Sequence, residues 1–493
     1  MSEFKMLIDG KLVDALSGKT MDVVNPANGK FVASVPCADE ADVDLAVKAA
    51  QKAFPAWRKT YVADRVNLVL KLAAKMREHA EELAVLETLH YGGPISKTRA
   101  FDANGGPGNL EFIAGLARGL TGHTITANPN ARIMTFREPM GVVGLITPWN
   151  FPMCTATSKL APALVTGNCV VLKPASCAPL TILKIGEYAK EVGFPDGVIN
   201  IITGPGSTVG EAIVKHPGIA KINFTGDSAV GKRIMHLASD YVKPVASELG
   251  GKNAFVVMDD APFDGAIEAG IYAAFFNSGQ NCGSPSRFYV QEGIYDKYLE
   301  TFIEKAKAIT VGDTMDPKTM MGPLAYPACR DNAEKAVAQA IADGCTLRLG
   351  GERPNTPETK DGAYVMPTIL EATDNTLPIM QEEIFAPVVA FYKFKEDREA
   401  VDLVNESRYG LCASVWTTDY RKGMKITDDF NVGTSWINQH LEICPETPWG
   451  GRKESGWTKE NSMLVFDEYT WHKHVWMCMD DEPHTFWENF LKA

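Results

Sequence analysis

A chain of 493 residues with 45% hydrophobic and 22% charged residues is too long for one hydrophobic core and too ordinary in composition for disorder, so two or three folded domains are expected. A formal charge of −12 without a concentrated basic run argues against nucleic acid or an anionic membrane as partner, leaving small molecules or further copies of the chain. The opening Met1-Ser2-Glu3-Phe4-Lys5-Met6 is charged where a signal peptide is apolar, no apolar run approaches a membrane span, and the ten cysteines form no CxxC pair. A cytoplasmic protein with no metal is the expectation.

Residues 6 to 36 alternate short apolar runs with turns such as Asn25-Pro26-Ala27-Asn28-Gly29 and predict a β-rich entry. Asp39 can cap a helix on which Val43, Val47, Ala50 and Phe54 share a face and which Pro55 is expected to stop. A second helical stretch runs from Asp64 to about His90. The piece Asn104-Gly105-Gly106-Pro107-Gly108 is expected to interrupt a further helix, resumed by Leu110, Ile113, Ala114 and Ala117. Thr121 to Glu138 alternate polar and apolar like an exposed hairpin, the pattern of an arm.

Between Gly141 and Met258 the β-like runs Val142 to Ile146, Cys169 to Leu172, Val198 to Ile202, Ala220 to Phe224 and Ala254 to Val257 alternate with helical patterns. That order predicts a parallel sheet wrapped by helices, with ligands at the carboxyl ends of its strands. Those ends carry Thr147-Pro148-Trp149-Asn150-Phe151-Pro152, Lys173-Pro174-Ala175-Ser176, Gly204-Pro205-Gly206 and Thr225-Gly226-Asp227. The glycines from Gly204 to Gly210 suit either a dinucleotide phosphate or a plain strand-to-helix turn, since the third comes one place late for the usual fingerprint. After about Gly250 the pattern restarts and runs to about Gly450, a second α/β domain. Val465 to Met479 is rich in aromatics and β-formers and leads into an acidic tail.

One cysteine stands apart. Asn277-Ser278-Gly279-Gln280-Asn281-Cys282-Gly283-Ser284 follows the helical run Ala266 to Phe276, and its glycines leave room for another molecule. Taken alone, Cys282 reads either as a small buried hydrophobe or as a nucleophile in need of a base and an oxyanion stabiliser. Glu248-Leu249-Gly250-Gly251-Lys252 offers a carboxylate at the proposed domain junction, which by itself reads as a surface charge.

Taken together, Pro-Trp-Asn-Phe-Pro at 148 to 152, Glu-Leu-Gly-Gly-Lys at 248 to 252, Gly-Gln-Asn-Cys at 279 to 282, Glu-Ile-Phe at 383 to 385 and Pro-Trp-Gly-Gly-Arg-Lys-Glu-Ser-Gly at 448 to 456 show that nearly the whole chain resembles the aldehyde dehydrogenase superfamily, of the hydrolytic, NAD(P)-dependent type. The resemblance implies oxidation of an aldehyde to the acid. Cys282 attacks the carbonyl, the Asn150 amide and the Cys282 N–H hold the oxyanion, hydride leaves to nicotinamide, and Glu248 activates the water that hydrolyses the thioester. Lys159 matches a family lysine near the oxyanion site, with a structural salt bridge as the other reading. A CoA-acylating relative is the nearest alternative, disfavoured by Glu248. A non-catalytic binding protein is disfavoured by the retention of Cys282, Asn150 and Glu248 together.

For the cofactor the resemblance assigns Trp149, Lys173, Ser176, Gly206, Gly210, Thr225, Gly226, Asp227, Leu249, Glu383 and Phe385. Ser176 stands where NAD-preferring relatives commonly carry glutamate, so NADP is expected, with NAD as a weaker or comparable substitute. Asp227 stands where serine is common and must turn away from phosphate or pair with Lys232 or Arg233. Phe151, Thr155, Ser158, Ser284, His440, Glu442, Ile443 and Trp449 are expected at the substrate, with Gly105 to Gly108 loosening the opposite wall. A short polar or aromatic aldehyde follows, a cationic amino-aldehyde being admissible through Glu442 and Trp449. The implied architecture is α/β: a Rossmann-like cofactor domain from 1–120 and 140–249, a catalytic domain from 250–449, and β segments at 121–139 and 465–493 that join subunits into a homodimer or homotetramer.

Overall fold

The computed structural model describes residues 4–479, 487, 490 and 491. Two seven-stranded sheets organise it. The first runs Val245–Leu249, Lys221–Gly226, Val142–Ile146, Cys169–Lys173, Ile199–Ile201, Met6–Ile8, Lys11–Val13, parallel through the first five and antiparallel at the last two. After Val142–Ile146 the chain adds strands on one side through Ile199–Ile201, then crosses back to add Lys221–Gly226 on the other. A crevice therefore opens at the carboxyl ends of these two central strands, where Rossmann-like sheets bind ligands.

The second sheet runs Thr346–Leu349, Thr368–Glu371, Val388–Phe394, Pro285–Gln291, Asn253–Val257, Cys412–Trp416, Thr434–Ile437, parallel except for the first edge strand. Its central strand Asn253–Val257 reads as a continuous apolar run because both faces are covered: Ala254 and Val256 enter one core, Phe255 and Val257 another. Each fully buried large side chain of this kind contributes about 1.5–3 kcal/mol.

The helices depart from expectation in instructive places. Asp39 caps Glu40–Trp57 in a capping box with Asp42, but Pro55 lies inside the last turn instead of ending the helix, because it removes only one donor there. The stretch from Asp64 to His90 is two helices, Val62–Glu78 and Ala80–Tyr91, broken at His79. Gly105 to Gly108 interrupt nothing; they lie within Ala103–Ala117, preceded by a π-turn at Thr98–Asp102. A Cβ on Gly105 would meet Cys154 Sγ at 2.9 Å and one on Gly106 would meet Met153 Cγ at 2.6 Å, so these glycines seat that helix against Pro152–Val165. They tighten the wall they were expected to loosen.

The arm is a three-stranded antiparallel sheet in which Ala131–Pro139 lies between Thr124–Ile125 and Thr470–Cys478. The two segments expected to reach a neighbour thus first pair with each other. Trp471, Trp476 and Phe136 remain exposed on this sheet. Most of the acidic tail lies outside the described residues.

Candidate active site

The helix Phe263–Phe275 ends in a tight turn, Phe276–Gly279, where Asn277 (φ 54°), Ser278 (φ 58°) and Gly279 (φ 68°) are successively left-handed. Two non-glycine residues in that region carry strain that surrounding bonds must overcome. Asn277 Nδ2 donates to the carbonyls of Asn150 (2.9 Å) and Gln280 (3.1 Å), and Ser278 Oγ donates to Gly322 O at 2.9 Å. Gln280 Oε1 accepts Ala325 N–H at 2.8 Å. At Gly279 a Cβ would lie 2.4 Å from Ala386 O, so no other residue fits beside that strand.

The turn presents Cys282. Asn253 Nδ2 donates to Cys282 O (2.6 Å) and Ser284 O (3.0 Å), and Asn281 Oδ1 accepts Gly283 N–H at 3.0 Å. Asn150 is buried, and one of its amide hydrogens goes to Gln280 O at 3.0 Å, which fixes the amide and leaves the other free. The Cys282 N–H takes no hydrogen-bond acceptor among the described residues. Two unengaged donors on neighbouring segments are what an oxyanion site requires.

Glu248 stands one residue before the end of the strand Val245–Leu249, close enough to the Cys282 thiol for each to shift the other. Burial pushes its carboxyl up to about 8; Glu460 adds to the rise, while Lys159 and the thiol oppose it. Burial, then the Glu248 charge, pushes the Cys282 thiol well above its ordinary range. Glu248 Oε1 is buried with no hydrogen-bond partner among the described residues. An acid whose two protonation states are both accessible near neutrality, facing a thiol, is equipped for proton transfer.

Lys159 is buried and makes an ion pair with Glu460. Both the salt bridge and the proximity to the active site are therefore present. Glu460 escaped the sequence reading, standing 301 positions from Lys159. Its backbone exchanges hydrogen bonds of 2.8 and 2.7 Å with Trp449, which belongs to the tryptophan-glycine motif already singled out.

Of the residues expected at the cofactor, Lys173 and Gly226 end the strands Cys169–Lys173 and Lys221–Gly226, one on either side of Val142–Ile146. Lys173 is buried, donates to Pro174 O at 2.9 Å, and is lowered to about 8 by burial. Ser176 Oγ donates to Gly204 O at 2.9 Å, so its proton is not offered to a phosphate in this arrangement. Gly206 faces open space, and a Cβ on Gly210 would approach Lys173 Cδ at 3.9 Å. These glycines lie in a π-turn, Gly206–Gly210, that opens the short helix Glu211–Lys215.

The Asp227 side chain caps Ser228–Ser239, accepting from Ala229 N–H (2.8 Å) and Val230 N–H (3.1 Å). The pairing considered for it does not form, since Lys232 goes to Glu454 and Arg233 to Glu211. Leu249 packs where Gly231 leaves space. At the other end Glu383 accepts Gly251 N–H at 2.9 Å, while Phe385 (φ 57°) stacks edge-on against Trp149 at 5.5 Å. Tyr326, not foreseen, meets Trp149 at 5.9 Å. A Cβ on Gly250 would lie 1.9 Å from Glu383 Oε2, and Thr225 Oγ1 is buried without a partner among the described residues. A buried cation, a glycine-lined opening and an unpaired hydroxyl fit a dinucleotide.

The substrate residues divide. Ile443 and Trp449 pack with Cys282, Leu411, Cys412 and Trp436. Phe151 joins Phe101 (5.6 Å) and Phe276 (6.2 Å), and Tyr272 meets Phe276 at 4.9 Å. Phe101 and Tyr272 are half-exposed, so these rings lead from solvent toward Asn150 and Asn277. Glu442 is exposed at the rim, near enough to raise the Tyr272 hydroxyl.

Thr155 and Ser158 return their hydroxyls to carbonyls of their own helix, Phe151 O (2.8 Å) and Thr155 O (3.0 Å). Two placements are corrected. Ser284 is buried and donates to Ala273 O at 2.7 Å. His440 is also buried, with Nδ1 at Ser414 Oγ (2.7 Å) and Nε2 at Gly283 O (3.0 Å), so it braces the nucleophile turn instead of lining an entrance.

Fold and site together define an α/β thiol enzyme with a dinucleotide crevice. The family model for the aldehyde dehydrogenase family matches residues 12–475. A mitochondrial aldehyde dehydrogenase of Leishmania tarentolae is 40% identical over 472 residues, 96% of this chain and 94% of the relative. The crystal structure of PnpE from Pseudomonas sp. WBC-3 superposes with a TM-score of 0.97 at 38% identity, covering 99% of this chain and 100% of that one. Betaine aldehyde dehydrogenase from Staphylococcus aureus, solved with NAD+, gives 0.96 at 36% identity, covering 98% and 96%. The chain belongs to the aldehyde dehydrogenase family. It is an oxidoreductase that oxidises aldehydes with NAD(P) through a catalytic cysteine.

Proposed function

We propose that Cys282 is that cysteine and that it forms and releases the acyl group with Glu248 as its only carboxylate base, the proximity of the two side chains carrying the reading. Glu248 takes the thiol proton, and sulfur bonds to the carbonyl carbon. The free Asn150 amide hydrogen and the Cys282 N–H hold the oxyanion. Bound NAD(P)+ supplies a two-electron acceptor. Collapse of the oxyanion with loss of hydride leaves an acyl group on Cys282; Glu248, having released the thiol proton to solvent, takes a proton from water as it attacks that carbon and returns it to the sulfur as the C–S bond breaks and the acid leaves. The Lys159–Glu460 pair tunes Glu248 from beside it.

The first sheet is assigned to the cofactor and the second to the nucleophile, with the arm and the segment after Val465 joining subunits into a dimer or tetramer in the cytoplasm. For the substrate, the rings of Phe101, Phe151, Tyr272 and Phe276 favour a short aromatic or polar aldehyde. Lys97 already sits 4.1 Å over Phe151 with Asp102 as counter-ion, which disfavours a second cation on that ring. The cationic alternative rests on Glu442 beside Tyr272.

NADP is the proposed cofactor, with NAD weaker or comparable. The hydroxyl of Ser176 is engaged, so the argument rests on two features: no carboxylate at that position to repel a 2′-phosphate, and the nearby charge of Lys173. Ser176→Glu is expected to raise the KM for NADP about tenfold more than that for NAD, a cost typical of an added like charge. Initial rates with both cofactors across aromatic, cationic and long-chain aldehydes test the assignment. A wild-type enzyme strongly preferring NAD, or an unchanged ratio in the variant, would sink it.

A further inference from the structure

Two helices begin immediately after the loops that carry the oxyanion donor and the adenosine anchor, and neither has a side-chain cap of its own. Pro152–Val165 starts two residues after Asn150 with Phe151 at its N-cap, and Leu180–Glu191 follows Lys173 and Ser176 with Pro179 at its N-cap. Their first free N–H groups need acceptors. Both find them on one buried pair from the helix Ala80–Tyr91. Glu87 Oε1 accepts Met153 N–H at 3.0 Å and the Thr181 hydroxyl at 3.0 Å. His90 Nδ1 accepts Leu180 N–H at 3.2 Å, so the proton sits on Nε2, which donates to Glu87 Oε2 at 3.3 Å.

Glu87, His90 and Thr181 are all fully buried, and their bonds close on one another without a spare group. The Glu87 carboxylate also sets a negative charge against the positive end of the Asn150-bearing helix. Three residues upstream, Asn150 O is held by Asn277. Asn150 is therefore clamped from the nucleophile turn on one side and from Glu87 on the other.

We propose that the Glu87–His90 pair is a positioning device that sets the oxyanion donor and the adenosine anchor at a fixed separation. The inference rests on the role proposed above for Asn150. Glu87 touches no reacting atom; it acts through Met153 on Asn150 and through Thr181 and His90 on the segment containing Ser176.

The test is a double-mutant cycle in the full chain, read as the burst rate of reduced cofactor at saturating aldehyde, with the thermal midpoint recorded beside it. Glu87→Ala is expected to slow the burst by about 10- to 100-fold, the scale of a displaced catalytic group. In the Asn150→Ala background the same change should cost less than about threefold, because the group it positions is already gone. Equal losses in both backgrounds overturn the proposal while leaving the active-site reading intact. An Asn150→Ala burst as fast as wild type sinks both.

Glu87→Gln serves where the alanine variant does not fold. Its carbonyl still serves Met153 and Thr181, but its NH2 faces His90 Nε2–H, and His90 can relieve that only by giving up Leu180. The expected split is a burst within about threefold of wild type and a cofactor Kd weakened by about fivefold, the scale of one lost hydrogen bond. A burst slowed by about 10-fold or more, or no change in either quantity, counts against the device.

Discussion

The nucleophile turn and the substrate mouth lie side by side and are built by opposite means. From Asn277 to Ser284 a strained backbone is held by side chains bonding to main-chain carbonyls, with Asn253, Gln280 and His440 bracing it from three directions. The mouth is held by ring contacts among Phe101, Phe151, Tyr272 and Phe276 and by an exposed rim residue, Glu442. Hydrogen bonds fix atoms to a few tenths of an ångström, whereas ring clusters tolerate exchange. The proposed reaction uses the first region and the proposed choice of substrate the second.

If that division holds, the largest effect belongs to the turn. Cys282→Ala is expected to lower turnover by roughly four orders of magnitude or more, as loss of a nucleophile does elsewhere. Cofactor binding, measured by a fluorescence titration, should stay within about twofold, the small change typical of a site away from the mutation. Substantial residual turnover would remove Cys282 from its role.

Next in size is Glu248→Gln, expected to slow acyl-enzyme hydrolysis by about 10²- to 10³-fold, the range for a lost general base. A burst of reduced cofactor, slowed by loss of the base that takes the thiol proton yet still faster than the steady state that follows it, is its signature. The pH dependence gives an independent check. Glu248 must be ionised to act as base, and burial has raised it to about 8, so steady-state kcat in the wild type should climb from pH 6 and level off above about 8. The variant should lose that limb.

Stability runs the other way. A carboxyl raised from 4.5 to about 8 contributes stability that is complete below 4.5 and lost as pH rises through about 8. The pH window that activates Glu248 is thus the one in which it weakens the fold. Chemical denaturation of wild type and variant across pH 5 to 9 should show their difference shrinking and then reversing as pH rises.

The same contrast explains what could be read from the chain. Cys282, Glu248 and Asn150 stand in the short runs that carry the family resemblance, which singles them out; residue type alone leaves Cys282 and Glu248 with two readings each. The central strands were equally plain, because a strand buried on both faces writes an unbroken apolar run such as Asn253–Val257. Glu460 was invisible because its meaning lies in Lys159, reached only through the fold. His440 was misplaced because a polar residue in a loop looks exposed until its two partners, Ser414 and Gly283, are known. Gly105 and Gly106 carry the same ambiguity: a glycine that breaks a helix and one that lets two helices touch are identical in sequence, and the distances to Cys154 and Met153 decide. Phe101 and Tyr272 carry no signal of their own in the sequence, since aromatic residues at helical spacing usually pack in cores.

The smallest effect is expected at the mouth, and it bears most directly on the division of labour. Phe101 is 45% exposed, so Phe101→Ala removes little from the core and should leave the thermal midpoint nearly unchanged. It does remove a ring that meets Phe151 at 5.6 Å and Phe276 at 5.7 Å, the outermost wall an aromatic aldehyde would pass and lean on. One aromatic contact of this kind is worth about 0.5–1.5 kcal/mol, which converts to a rise of about 2- to 13-fold in the KM for benzaldehyde. Propanal, too short to reach the ring from Cys282, should change by less than about twofold, and kcat should hold for both because the turn is untouched. A common fall in kcat for the two aldehydes would mean that Phe101 supports the turn through Phe276, and that mouth and machinery are one unit.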